Sequence, residues 1–217
     1  MTENHSRWAR LPTAILISGR GTNMAALLEA AKAADYPARI ALVISNVAGA
    51  PGLARAEAAG SPTAVIEHKG FGKDRQAFDR AIDAELTRHG VELVCLAGFL
   101  RILTPWFVAR WEGRVLNIHP ALLPRFKGLR THERALAEGV KLHGASVHFV
   151  TEALDEGPVI AQSAVPVLAD DTPETLAARV LDVEGPLYAA ALRFVASGEA
   201  RLVRGEVVFG KPGLDQP

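Results

Sequence analysis

Asn117 and His119 stand two residues apart at the end of an apolar run, "VLNIHPALLP", residues 115–124. Residues i and i+2 of a strand project from one face, so this amide and this imidazole converge on one spot. Pro120 has no N–H and restricts His119 to extended geometry, which fixes the strand's end at that point. Asp155 lies in "EALDEGPV", with Glu152 and Glu156 nearby. A carboxylate beside His119 would favour the charged imidazole and orient its ring. Two plainer readings stay open: a capping Asn with a hydrogen-bonded core His, and an acidic turn that is merely solvated.

The elements that must position these groups alternate. Strand-like runs at 13–18, 40–45, 62–67, 92–98 and 113–119 are nearly continuous in apolar residues, with helical stretches between them. These are "MAALLEAAKAA", "APGLARAEAAG", "KDRQAFDRAIDAELTRHG" (Phe78, Ile82 and Leu86 at helical spacing) and "TPWFVARWEG". Such a pattern predicts an α/β fold: an open, mostly parallel sheet with helices on both faces. After residue 120, strand signals at 145–150 and 158–167 flank the acidic loop and predict a hairpin or an antiparallel C-terminal extension of the sheet. A last helical stretch, 172–198, has Thr172 as N-cap and Pro173 in its first turn, with Gly185-Pro186 as a point of bending. The tail "ARLVRGEVVFG" is read as a final hairpin or a loose end. No repeat, low-complexity linker or domain boundary interrupts residues 1–217, so a single domain is expected.

Between the first strand and first helix, "ILISGRGTNMAALL" places Gly19 and Gly21 where open α/β sheets bind ligands. Glycines let backbone amides approach an anion, and a helix start adds unpaired N–H groups. The dinucleotide fingerprint is broken, because Met24 fills its third small position and the second strand ends "ISN" without an acidic residue for a ribose. A monophosphate fits better, with the Thr22 hydroxyl and Asn23 side chain as added donors. A simple tight turn is the alternative.

Lys and Arg number 24 and Asp and Glu 24, so no net field favours nucleic acid or an anionic membrane. Cys95 is the single cysteine; it excludes an internal disulfide and reads as a buried structural thiol. No apolar run approaches a membrane span, and "MTENHSRWARLP" lacks the apolar core of a signal peptide, which together predict a cytoplasmic protein. His132 and His143 have no metal-set spacing and are read as scaffold or surface residues. His5, His68 and His89 receive no role, and His148 reads as a second contact to the site or as structure.

The segments "ILISGRGTN", "LAGFLRIL", "LNIHPALLPRFKGLRTH", "GASVHFVTEALDEGPVIAQ" and "RVLDVEGPLY" together resemble the formyltransferases that use 10-formyltetrahydrofolate, over nearly the whole chain. The resemblance implies a Rossmann-like formyltransferase fold. It also implies transfer of the formyl group to the amine of glycinamide ribonucleotide, in de novo purine biosynthesis. Asn117, His119 and Asp155 match the family's catalytic trio. Gly21, Thr22 and Asn23 match its phosphate loop, and Glu184 its ribose-holding acid. Arg75 matches a folate-contacting arginine. Leu100, Arg101, Ile102 and Leu103, and the stretch Thr151 to Asp155, match the two backbone segments around the pterin, with Asn117 and Asp155 also on the folate side. Residues of about 11–110 would then bind the phosphate, and those of about 111–217 carry the trio and much of the folate site. Leu181 stands where some members carry a substrate-binding Lys or Gln, and Glu156 replaces a glycine found in some members.

The implied reaction passes through a tetrahedral oxyanion and needs no metal. Asn117 and a protonated His119 would donate to that oxygen, while Asp155 keeps the imidazole charged and accepts the amine's proton. The implied partners are the two small molecules alone, with no nucleic acid and no membrane, acting on a monomer or homodimer. Three competitors remain. A formyltetrahydrofolate hydrolase would be expected to carry an N-terminal regulatory domain and to lack the glycine loop. A methionyl-tRNA formyltransferase would carry a C-terminal RNA-binding domain and a basic surface. A non-catalytic nucleotide-binding module would have no use for the trio.

Overall fold

A computed structural model describes residues 10–210. The chain runs β1 (Leu11–Ile17), α1 (Thr22–Ala30), β2 (Ala38–Ser45), α2 (Pro51–Ala58), β3 (Thr63–Val65), a 3₁₀ turn (His68–Phe71), α3 (Arg75–Arg88), β4 (Leu93–Leu96) and α4 (Pro105–Arg110). It continues through β5 (Val115–His119), α5 (Thr131–Ala137), β6 (Leu142–Phe149), β7 (Val159–Pro166), α6 (Pro173–Ala196), β8 (Ala200–Val203) and β9 (Glu206–Phe209). Seven strands form one sheet in the order β3-β2-β1-β4-β5-β6-β7, parallel up to β5 and antiparallel through β6 and β7. The expected parallel core and antiparallel extension are both present, and the tail closes into its own two-stranded hairpin.

Burial explains the arrangement. Ala14, Ile15, Leu16 and Ile17 are all fully buried, because alternate residues of β1 enter different cores. Ile15 and Ile17 pack with Leu27, Phe149, Val180 and Tyr188 on the α1 and α6 face. Ala14 and Leu16 pack with Ile44, Phe78, Phe107 and Trp111 on the other. Each such side chain contributes about 1.5–3 kcal/mol on leaving water. The Tyr188 hydroxyl ties α6 to the sheet by donating toward the carbonyls of Leu96 and Leu116, at 3.1 and 3.0 Å. Cys95 is buried beneath it, and burial pushes its thiol pKa up to about 12, so it is the inert structural thiol expected.

Three differences from the sequence reading have local causes. The first helix begins at Thr22, not Met24, because Gly21 takes the left-handed conformation (φ 67°) as its N-cap. Thr22 and Asn23 therefore sit in the first helical turn. The final helix runs unbroken through Gly185-Pro186, with Thr172 and Thr175 forming a reciprocal capping box at its start. Gly185 serves the packing of α1: a Cβ there would lie 2.9 Å from the Ala26 methyl. Helix α5 was not expected. Only Thr131 and Ala135 of its seven residues are buried, so it carries no apolar stripe for a pattern to find. Among the described residues no helix is long and apolar enough to cross a membrane. His5 lies outside the described residues.

Candidate active site

The chain leaves β1 toward β2 on one side and β4 toward β5 on the other, so the carboxyl ends of β1 and β4, with that of β5 next to them, lie at the switch point where open α/β sheets bind ligands. On β5, Asn117 pairs in register with His148 of β6, and His119 with Ser146. Beyond His119 the chain turns, and Ser146 holds it there. The Ser146 hydroxyl donates to the Ala121 carbonyl at 2.6 Å and accepts from the Leu123 N–H at 3.0 Å.

His119 is gripped through both ring nitrogens. Its Nε2 lies 2.9 Å from the Phe126 carbonyl oxygen, and its Nδ1 lies 3.3 Å from Asp155 Oδ2. Both partners are acceptors, so both contacts hold only when both nitrogens carry hydrogen, which is the imidazolium form. The two side chains are each only 7% exposed. The Asp155 carboxylate, placed in a left-handed backbone conformation (φ 53°), also accepts from the Gly128 N–H at 2.9 Å. The turn is exposed to solvent at residues 152–154 and 156, and within it Asp155 is drawn inward. Asp155 points inward, while Glu156 pairs outward with Lys127 at 2.9 Å. His148 is buried beside them, with Nε2 3.2 Å from Asn117 Nδ2 and 3.8 Å from Asp155 Oδ1.

The glycine loop forms a second region. No side chain caps α1, so the N–H groups of its first turn are left for another partner. Asn23 Nδ2 donates to Glu184 Oε2 at 2.6 Å, which joins two sequence-predicted residues across α1 and α6. Burial raises the Glu184 pKa, and the Asn23 hydrogen bond only partly opposes this. Leu181, one turn earlier on α6, offers no polar contact. Arg20, between the glycines, is exposed.

The third region is the segment after β4. Arg75 Nη2 donates to the Ile102 carbonyl at 2.6 Å, the Leu100 N–H donates to Ser18 Oγ at 2.8 Å, and Thr104 donates through both N–H and hydroxyl to Asp79 Oδ2 at 2.6 Å. The Arg101 guanidinium lies over the Phe78 ring. Leu100 and Ile102 are left exposed and Leu103 buried. Ser18 also donates to Asn46 Oδ1 at 2.6 Å, so one hydroxyl joins the glycine loop, the end of β2 and this segment. Ser18, Asn46 and Asp79 were missed by sequence reading. Asp79 gave a signal: it falls beside Phe78 and three residues before Ile82, a charge on the apolar stripe of α3. Thr151 turns onto the Ala153 carbonyl at 3.3 Å.

The formyl transferase family pattern matches residues 12–192 of the chain. The chain belongs to that family. A phosphoribosylglycinamide formyltransferase from Brucella melitensis is 53% identical and superposes with a TM-score of 0.83, covering 87% of this chain and 97% of that one. Escherichia coli phosphoribosylglycinamide formyltransferase is 44% identical over 87% of this chain and 88% of its own length. The trifunctional purine biosynthetic protein adenosine-3 of Gallus gallus is 51% identical over 89% of this chain, which spans only 19% of that protein. A formyltetrahydrofolate deformylase from Pseudomonas syringae is more distant, at 29% identity, with a TM-score of 0.84 over 93% of this chain and 66% of that one.

Within this formyl transferase, His132 and His143 belong to the scaffold. His143 is fully buried, its ring edge-on to His132 at 5.2 Å between centroids and to Phe126 at 5.6 Å. Burial, reinforced by the neighbouring His132 and His119, lowers its pKa to about 4. The unfolded chain takes up this proton near pH 6.5, and the folded chain does not until near pH 4. Stability is therefore present above pH 6.5 and lost as the pH falls between those values, by up to about 1.4 kcal/mol per unit. Urea unfolding at pH 7 and pH 5 should show this loss in the unaltered protein and a smaller one in His143→Leu. Among the described residues, no three His, Cys, Asp or Glu side chains gather as a metal set.

Glu184 yields the opposite sign. A carboxyl whose folded pKa is raised holds its contribution below its unfolded pKa and loses it as the pH rises through the folded value. Glu184→Gln keeps an oxygen for the Asn23 N–H without a buried charge. It should melt higher than the unaltered protein at pH 8, with the difference vanishing at pH 4. If the carboxylate holds substrate hydroxyls, the same change should raise the KM of the phosphorylated substrate about 10-fold or more, by loss of a charged hydrogen bond. Melting curves and initial rates on one preparation check both halves.

Proposed function

We propose that this chain transfers the formyl group of 10-formyltetrahydrofolate to the amine of glycinamide ribonucleotide in purine biosynthesis. It would act in the cytoplasm as a single domain, monomeric or homodimeric, without a metal. The observation that carries the reading is the buried contact of His119 Nδ1 with Asp155, with the Asn117 amide two residues away on the same strand face. Near full-length likeness to phosphoribosylglycinamide formyltransferases supports the choice of acceptor.

The chemistry follows from which atoms are free. Nε2–H of His119 is held by the Phe126 carbonyl at 2.9 Å, whereas Nδ1–H faces Asp155 across a longer 3.3 Å, so Nδ1–H is the proton that a formyl oxygen would share with Asp155. The amine nitrogen attacks the formyl carbon, and its oxygen becomes negative between Nδ1–H and the Asn117 amide. One such preorganised donor is worth about 3–4 kcal/mol of barrier. Asp155 takes the proton the amine must lose, directly or through water. The bond from carbon to N10 of the folate then breaks, and N10 takes up a proton. Gly21, Thr22 and Asn23 receive the substrate phosphate, and Glu184 its ribose. Arg75 and the backbone of residues 100–103 and 151–155 hold the folate.

The likeness to a formyltetrahydrofolate deformylase supports one second reading, in which water replaces the amine. An absorbance assay for the folate product separates the two. Product formed only when glycinamide ribonucleotide is present supports the transferase; equal product without it supports the hydrolase. Changes at Thr22 or Asn23 should chiefly raise the KM of the phosphorylated substrate. An unmoved KM would reduce the loop to a turn.

A further inference from the structure

We propose that His148 is a positioning residue: as the neutral Nδ1–H tautomer it accepts a hydrogen bond from the Asn117 amide and thereby presents the amide's NH₂, not its oxygen, to the reacting carbonyl. This rests on the formyl-transfer reading of the site and deepens it, since it says what makes Asn117 a donor.

The tautomer is set by a main-chain acceptor. His148 Nδ1 lies 2.8 Å from the Phe149 carbonyl oxygen, which can only accept, so Nδ1 carries the hydrogen. In the neutral ring Nε2 then holds a lone pair. That lone pair faces the Asn117 side-chain nitrogen at 3.2 Å, and only an N–H can meet it. The orientation of the amide follows from this need. One hydrogen of the NH₂ is spent on Nε2, which leaves the second to point away from His148.

Two features hold the arrangement. The β6–β7 register slips between Val147 and His148, a local irregularity of the kind that re-aims a side chain. Gly157 then covers the Nδ1–Phe149 bond so closely that a Cβ at 157 would lie 1.6 Å from the Phe149 oxygen and 3.1 Å from His148 Nδ1. Water is excluded from the hydrogen bond that selects the tautomer. Burial lowers the His148 pKa, and although the Phe149 carbonyl and Asp155 oppose this, the neutral ring wins.

The opposite protonation state would undo the site in two ways. An Nε2–H would turn the Asn117 oxygen inward, where it would repel the developing oxyanion. It would also compete with His119 for Asp155, whose Oδ1 stands 3.8 Å away.

The test has a spectroscopic arm and a kinetic arm. In histidine-labelled whole protein at neutral pH, ¹⁵N NMR should show His148 protonated at Nδ1 and bare at Nε2. An Nε2–H tautomer or a doubly protonated ring would overturn the proposal. His148→Leu, which keeps bulk and removes the acceptor, should lower kcat about 10²-fold with both KM values within about threefold. His148→Gln, which can place an oxygen where Nε2 stood, should recover most of that loss. A kcat within about threefold of the unaltered protein for His148→Leu, or equal losses for Leu and Gln, would overturn it. If His148→Leu does not fold, the tautomer in the unaltered protein and the Gln variant decide. Absence of formyl transfer by the unaltered protein would instead overturn the functional reading.

Discussion

Asp155→Asn should lower the turnover of formyl transfer about 10³-fold while leaving both KM values nearly unchanged. The amide can still accept from the Gly128 N–H and from His119, so the loop keeps its anchor. What it loses is basicity and charge. No group is left to take the amine's proton, and nothing holds the imidazole in its cationic form. Stranding a permanent buried charge costs about 3–5 kcal/mol. The stability loss here should be smaller, because His119 can shed its proton. Steady-state rates with both substrates saturating, beside a urea titration of the same variant, check the prediction. Turnover within about tenfold of the unaltered protein would remove Asp155 from the proton path.

Gly157→Ala should also be damaging, though residue 157 carries no functional group. The added carbon would lie 1.6 Å from the Phe149 oxygen and 2.8 Å from its carbonyl carbon. Both atoms belong to β6, which is hydrogen-bonded on each side within the sheet, so the strand cannot give way. Residues 151–157 must move instead, and Asp155 moves with them. A misplacement of about 1 Å can cost on the order of 10²-fold in rate, and the overpacking itself about 1–3 kcal/mol in stability. The signature is a rate loss far larger than the loss expected from any unfolded fraction. Rates measured well below the melting temperature should show it.

Much of this site was legible in the chain, for reasons that can be named. The period of two along a strand put Asn117 and His119 on one face, and Pro120 fixed where the strand ends. The alternation of apolar runs with helical stretches gave the parallel sheet and its antiparallel continuation. The meeting of Asp155 with His119 was not readable from pattern, because residues this far apart in the chain leave no periodic trace of their contact. Residue type made Asp155 a candidate partner for His119, and family resemblance joined the two as a catalytic pair. The structure adds the means: Gly128 and Gly157 let two loops close on the pair. The supports of the segment after β4 were also hidden. Ser18 looks like an ordinary loop serine, and its role depends on Leu100 and Asn46 arriving from other strands. Asp79 was visible as a charge on an apolar stripe, yet only the Thr104 contacts say what it is for. Helix α5 left little trace, since so few of its residues are buried.

The central claim is that the His119 imidazolium donates a proton-bearing nitrogen to an oxygen that turns negative during transfer. A single-turnover measurement with His119→Ala tests it most directly, because product release cannot mask the chemical step. With enzyme in excess and both substrates bound, the rate constant should fall about 10²–10³-fold against the unaltered protein. A rate constant within about threefold would contradict the account.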